Sequence, residues 1–114
     1  MNTVTVTFDD PTYSVDQDYT FINGERFSGT LKILDSNATL EVETQYKDGM
    51  INGYDREYYN NGQMKQEAII YIDSVGKTTS YKEWSEQGSL IYHEKTHFTD
   101  IYEYTKEIIV DNRP

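Results

Sequence analysis

The chain has 114 residues, 36% hydrophobic and 26% charged, with 20 acidic against 10 basic side chains and a net charge of −10. Cysteine is absent, which removes disulfides, thiol catalysis and every Cys-based zinc site. A field this acidic repels nucleic-acid backbones and anionic lipid headgroups and attracts basic proteins, although acidity also serves plain solubility.

No apolar run approaches the roughly 20 residues of a membrane helix. Met1-Asn2-Thr3-Val4 opens no basic-then-apolar leader, so the expectation is one unexported, cytoplasmic domain spanning residues 1–114. Eleven Tyr, with Phe8, Phe21, Phe27, Phe98 and Trp84, supply bulk for a thin core of one or two layers. Val4, Val6 and Phe8 alternate with Thr5 and Thr7, the period of a half-buried strand. Asp9, Asp10, Asp16 and Asp18 then load residues 9–20 with acid and no base, which predicts a loop or irregular edge and the most flexible part of the chain. Residues 1–23 thus form an N-terminal strand and acidic loop.

Residues 24–98 repeat. Gly29 and Gly53 are 24 apart, Leu40 and Met64 are 24 apart, and Met64 and Leu90 are 26 apart. The run Asn61 to Glu67 matches Gln87 to His93, and Lys47-Asp48-Gly49-Met50 matches Ser74-Val75-Gly76-Lys77. Three units emerge, 24–47, 48–72 and 73–98, of which the first is most degenerate: Asn37-Ala38-Thr39-Leu40 lacks the glycine that Gly62 and Gly88 supply. Apolar spacing inside the units is two, as where Leu40, Val42 and Tyr46 alternate with Glu41, Glu43 and Gln45. Lys-Asp-Gly at 47–49, Asn-Asn-Gly at 60–62 and Glu-Gln-Gly at 86–88 each end in a glycine able to take a positive φ. Pro11 and Pro114 both lie outside the strand runs. The fold class is therefore all-β, an antiparallel meander of stacked hairpin repeats. Residues 99–114 cap it, and Ile101 to Val110 reads either as a strand with Tyr102, Tyr104, Ile108 and Val110 on one face or as a helix presenting Ile101, Tyr104 and Ile108.

Tyr58-Tyr59-Asn60-Asn61-Gly62-Gln63-Met64-Lys65-Gln66-Glu67, preceded by Asp48-Gly49-Met50-Ile51-Asn52-Gly53 and followed by Tyr71 and Gly76-Lys77, resembles the MORN-variant repeat. That is the divergent form of the membrane-occupation-and-recognition-nexus repeat, found in bacterial proteins described as antitoxins or immunity proteins. The resemblance covers about two thirds of the chain and implies stacked antiparallel hairpins and a role in neutralising a protein partner. Its recurring positions map to Gly49, Gly53, Tyr59, Gly62, Met64, Glu67, Gly76, Trp84, Gly88 and Leu90. The third unit departs from it, with Thr79-Ser80 where Gly53 would recur. These positions carry turns and stacked aromatics, and the family offers no catalytic residue to transfer.

His93-Glu94-Lys95-Thr96-His97 fits HExxH, the zincin signature. That chemistry needs a helix, where the two imidazoles share a face about 6 Å apart; on a strand they stand about 13 Å apart. The flanks are β-branched or aromatic, and the repeat alignment sets His93 and Glu94 where Gln66 and Glu67 sit in a predicted strand. Surface histidines on a strand are thus the competing reading to a zinc hydrolase, and Asp100, Glu103 or Glu107 would have to complete the ligand set. Asn37-Ala38-Thr39 matches a glycosylation acceptor that an unexported chain would not use. Neither the glycines nor the Ser, His and Asp residues form a phosphate cradle or a nucleophile beside a base. No cofactor is called for.

Aligning the first strands sets Leu34, Tyr58 and Trp84 in one register as candidate core, with Lys32, Arg56 and Lys82 two residues earlier. The opposite face carries Asp55, Glu57, Tyr59, Tyr81 and Glu83, while Glu41 and Glu43 point away from Leu40 and Val42. Acids interleaved with tyrosines suit a Lys- and Arg-rich protein partner, Tyr supplying rigid contact area and carboxylates steering. A solvated sheet face with ordinary gatekeeping charge is the bland alternative. The leading expectation is a non-enzymatic antitoxin or immunity protein that binds a basic toxin. Behind it stand a phage-type inhibitor whose carboxylates occupy a nucleic-acid groove, and a passive scaffold repeat.

Overall fold

Alternation of period two becomes strand after strand in the computed structural model, which describes residues 2–73, 76–98 and 103–114; among these the secondary structure is all-β, without helix. Eleven strands follow in order: β1 (Thr3–Thr7), β2 (Tyr13–Asp16), β3 (Tyr19–Ile22), β4 (Glu25–Arg26), β5 (Gly29–Leu34), β6 (Leu40–Lys47), β7 (Met50–Tyr58), β8 (Met64–Asp73), β9 (Gly76–Trp84), β10 (Leu90–Phe98) and β11 (Tyr104–Asp111). Eight of them form one sheet in the order β1-β5-β6-β7-β8-β9-β10-β11, and β2-β3-β4 form a second. From β5 onward every pairing is antiparallel. The β1–β5 pair is parallel, and the small sheet serves as the long crossover that parallel neighbours require.

The three repeat hairpins, β5–β6, β7–β8 and β9–β10, share one turn. Asp35, Tyr59 and Ser85 donate their backbone N–H to Thr39, Gln63 and Ser89 oxygens at 2.9, 2.8 and 2.8 Å. The fourth residue of each turn is left-handed: Ala38 at φ 61°, Gly62 at 87° and Gly88 at 92°. Asp35 replaces the missing glycine's help by accepting the Asn37 and Thr39 N–H groups on Oδ1 at 2.8 and 3.0 Å. Past each turn the register slips once, where Leu34 faces Leu40 but Ile33 faces Val42, and likewise at Tyr58/Met64 and Trp84/Leu90. Glu41, Lys65 and Ile91 are the extra residues of three equivalent bulges. The bulges fix the offset between the second and third units at 26, so His93 takes the place of Glu67, and Glu94 that of Ala68. The match of Asn61–Glu67 with Gln87–His93 has this same offset, whereas placing His93 and Glu94 on Gln66 and Glu67 is one position off. Between hairpins, Asp48 (φ 51°) and Gly49 (φ 82°) make the tight turn that Lys-Asp-Gly predicts. In the corresponding third-unit turn, Ser74 and Val75 lie outside the described residues.

Residues 9–20, expected as a loop or irregular edge, instead supply two strands. Tyr13–Asp16 and Tyr19–Ile22 pair as a hairpin across Gln17 and Asp18, both at positive φ, and Ile22 pairs with Glu25 across the positive-φ Asn23 and Gly24. This small sheet packs on one face of β1, β5 and β6. Val6, Phe27, Leu31 and Ile33 form the buried cluster, with Val4, Tyr13, Ile22, Val42 and Tyr46 against it. Phe27 meets Tyr46 edge-on at 6.1 Å. Thr20 N–H to Gly49 O and Gly49 N–H to Phe27 O, both 2.8 Å, tie the small sheet to the β6–β7 turn. Phe8, expected to point inward, lies beyond β1 and is 55% exposed. Leu34, Tyr58 and Trp84 are half-buried at the hairpin ends and stand outside this cluster. The tail is a strand from Tyr104 to Asp111, Ile101 and Tyr102 lying outside the described residues. A bulge at Ile109 sets Ile108 opposite Glu94 and Val110 opposite His93. Val110 therefore leaves the face that Tyr104 and Ile108 share.

Candidate functional site: an uncovered acidic and tyrosine-rich face

Because the small sheet covers only β1, β5 and β6, the same face of β7 to β11 has no second layer among the described residues. Cross-strand register builds its rows. Val42, Glu57, Gln66, Glu83, Tyr92 and Asp111 stand side by side, and the next row holds Asp55, Ala68, Tyr81, Glu94 and Ile108. Four of the sequence-derived candidates, Asp55, Glu57, Tyr81 and Glu83, come together here.

Tyr81 is the centre of the patch. Its hydroxyl donates to Glu83 Oε1 at 2.7 Å and lies 3.2 Å from Gln66 Oε1. Burial, then the Glu83 hydrogen bond, pushes its ionisation up, so it remains a neutral donor at physiological pH. Asp55 accepts the Thr44 hydroxyl at 2.8 Å. Among the described residues no lysine or arginine lies within ion-pair distance of Asp55, Glu57 or Glu83. Glu94, by contrast, accepts from Lys106 Nζ and the Tyr92 hydroxyl, each at 2.8 Å; the Lys106 bond is the main cause holding its carboxyl below the ordinary range.

The other three candidates are spent elsewhere. Glu43 lies on the opposite face, opposite Lys32 and Arg56, where it accepts the Tyr54 hydroxyl at 2.5 Å. Glu41 occupies the first bulge and is exposed. Tyr59 has left the sheet for the second turn, where its hydroxyl donates to Trp84 O at 2.8 Å and joins one hairpin to the next. Gln66, Tyr92 and Asp111 complete the face and were missed: the match of Asn61–Glu67 with Gln87–His93 already aligns Gln66 with Tyr92, but the bulges at Lys65 and Ile91 decide which face the pair takes.

The HExxH residues do not form the zincin arrangement. β10 runs extended through Phe98, so the imidazoles bond separately to β9, His97 Nδ1 with Thr78 Oγ1 at 2.7 Å and His93 Nε2 with Ser80 Oγ at 3.3 Å. Glu94 projects from the opposite face. Among the described residues no three His, Asp or Glu side chains converge on a possible ion. Comparison with protein-family models, curated proteins and solved structures finds no match for this chain.

Proposed function

We propose that this protein is an antitoxin or immunity protein that neutralises a basic protein toxin, acts in the cytoplasm, and docks through the uncovered face of β7 to β10. The observation that carries the reading is the pairing of Glu57 and Glu83, without basic partners among the described residues, with Tyr81 and Gln66 on a sheet face that the small sheet leaves open. Carboxylates that lose their water on docking are costly alone and favourable once they meet lysines or arginines, so this face gains from a basic partner. The likeness of residues 48–67 to MORN-variant repeats supports the toxin-neutralising form of the reading.

Co-expression with the product of the adjacent gene tests it. Growth should be rescued and the pair should co-purify, while the double variant Glu57→Lys/Glu83→Lys should fold yet neither rescue nor bind. A neighbour that is neither toxic nor bound refutes the antitoxin reading. Displacement of the bound partner by DNA would instead identify a blocker of a nucleic-acid groove.

A further inference from the structure

Tyr92 is 4% exposed, although it belongs to the open face and not to the Leu31 cluster. The end of the chain covers it. Asn112 donates its N–H to Ile91 O at 2.7 Å, continuing the ladder past β11. Arg113 then folds back, its guanidinium carbon 3.7 Å from the Tyr92 ring centroid and its Nε 3.3 Å from Asp111 Oδ1. Tyr81 leans on Tyr92 with ring centroids 6.2 Å apart, and Glu83 and Asp111 flank Tyr92 in register on either side. A planar cation is thus seated on an aromatic ring between carboxylates, the geometry that favours guanidinium over ammonium.

The seat is loose compared with the other arginine stack beside carboxylates. Arg56 lies 3.7 Å over Tyr54 and is clamped by Glu67 at 2.7 Å, the Glu67 side chain being 10% exposed. Arg113 and Asp111 side chains are 46% and 45% exposed, so water competes for their pairing.

We propose that Tyr92, Glu83 and Asp111 form an arginine-recognition site, filled in the free protein by the chain's own Arg113 and taken over by a partner arginine on docking. The proposal rests on the docking reading above and gives it a chemistry: the partner presents an arginine, and Arg113 is the intramolecular competitor it displaces.

Anisotropy of labelled hexa-arginine and hexa-lysine peptides at low salt tests this with wild-type protein, Arg113→Gln, and Lys95→Gln, which removes the same charge from the opposite, exposed side of β10. Arg113→Gln should tighten hexa-arginine binding about three- to tenfold, the gain from freeing a mostly occupied site, and hexa-lysine binding less. Lys95→Gln should give only the smaller gain of general charge, and Tyr92→Leu added to Arg113→Gln should cancel the excess. Equal gains from Arg113→Gln and Lys95→Gln, or equal gains for both peptides, overturn the recognition site while leaving the docking face standing. No binding of either peptide to any variant sinks the docking reading itself, and this site with it.

Discussion

Replacing Arg56 with methionine tests what holds a sheet together where it has no second layer. Lys32, Glu43, Arg56, Glu67, Lys82 and His93 stand in one cross-strand row on the face opposite the acidic patch. Arg56 Nε lies 2.7 Å from Glu67 Oε2 and its NH1 nitrogen 3.8 Å from Glu43 Oε2, while its guanidinium stacks on Tyr54. Glu67 is 8% exposed and counts among the buried residues. Methionine keeps most of the stem's packing but leaves two poorly hydrated carboxylates without their shared cation. Stranding one member of a buried pair costs about 3–5 kcal/mol; the partial exposure of Arg56 and the presence of Lys32 and Lys82 in the row bring the expectation to about 2–3 kcal/mol, or a fall in Tm of about 10 °C. Urea unfolding of both proteins measures it. A deficit below about 1 kcal/mol would refute the claim that this row is the sheet's polar core.

Two further predictions concern single positions. Ala38 holds a left-handed φ that costs an L-residue about 1–2 kcal/mol, against about 0.4–1 kcal/mol that glycine forfeits by loosening the unfolded chain; Ala38→Gly should therefore stabilise by about 0.5 kcal/mol in urea melts, and a loss of stability would mean that the turn relies on the methyl group. Burial, then Lys82 and Lys95, lower the His93 pKa, with Glu107 acting the other way; the unfolded chain takes up the proton first, so stability should fall as pH drops below about 6.5, and His93→Gln should flatten that limb between roughly pH 6.5 and 5.

The hairpin meander was legible because period-two alternation and the glycines at 49, 62 and 88 are local signals that tertiary context did not override. The small sheet was not read, although Asn23-Gly24 is a strong two-residue hairpin signal; the four aspartates of 9–20 dominated that stretch, while the burial of Tyr13 and Ile22 depends on a sheet folded from residues downstream. The bulges at Glu41, Lys65, Ile91 and Ile109 leave no clear composition signal, and each reverses the face of whatever follows it. Hence the hairpin-by-hairpin reading united Asp55, Glu57, Tyr81 and Glu83 correctly but misassigned Val110 and the histidine motif by one residue. The face itself was half visible, for its acids stand in the sequence, whereas the Tyr92 and Arg113 contact joins a strand to a tail that no local pattern connects.

The two faces divide the protein's charge by purpose, and salt should separate them. On one face Lys32, Glu43, Arg56, Glu67 and Lys82 alternate in sign, so the row is nearly neutral and its Glu67 is shielded from water. On the other, Glu57 and Glu83 sit two strands apart, roughly 10 Å, half-buried and without a lysine or arginine at ion-pair distance among the described residues. Ions screen exposed charges over about 10 Å at 0.1 M but reach buried pairs poorly. Raising salt from about 0.02 to 0.2 M should therefore relieve repulsion on the open face, leave the Arg56–Glu67 pair largely intact, and raise the unfolding midpoint of the free protein. The same change should weaken capture of a basic partner, because that attraction uses the charges being screened. Thermal melts and binding titrations over one salt series give the two slopes. Slopes of the same sign would mean that the carboxylates of the open face support the fold in the way the opposite row does, and the separation of docking charge from structural charge would fail.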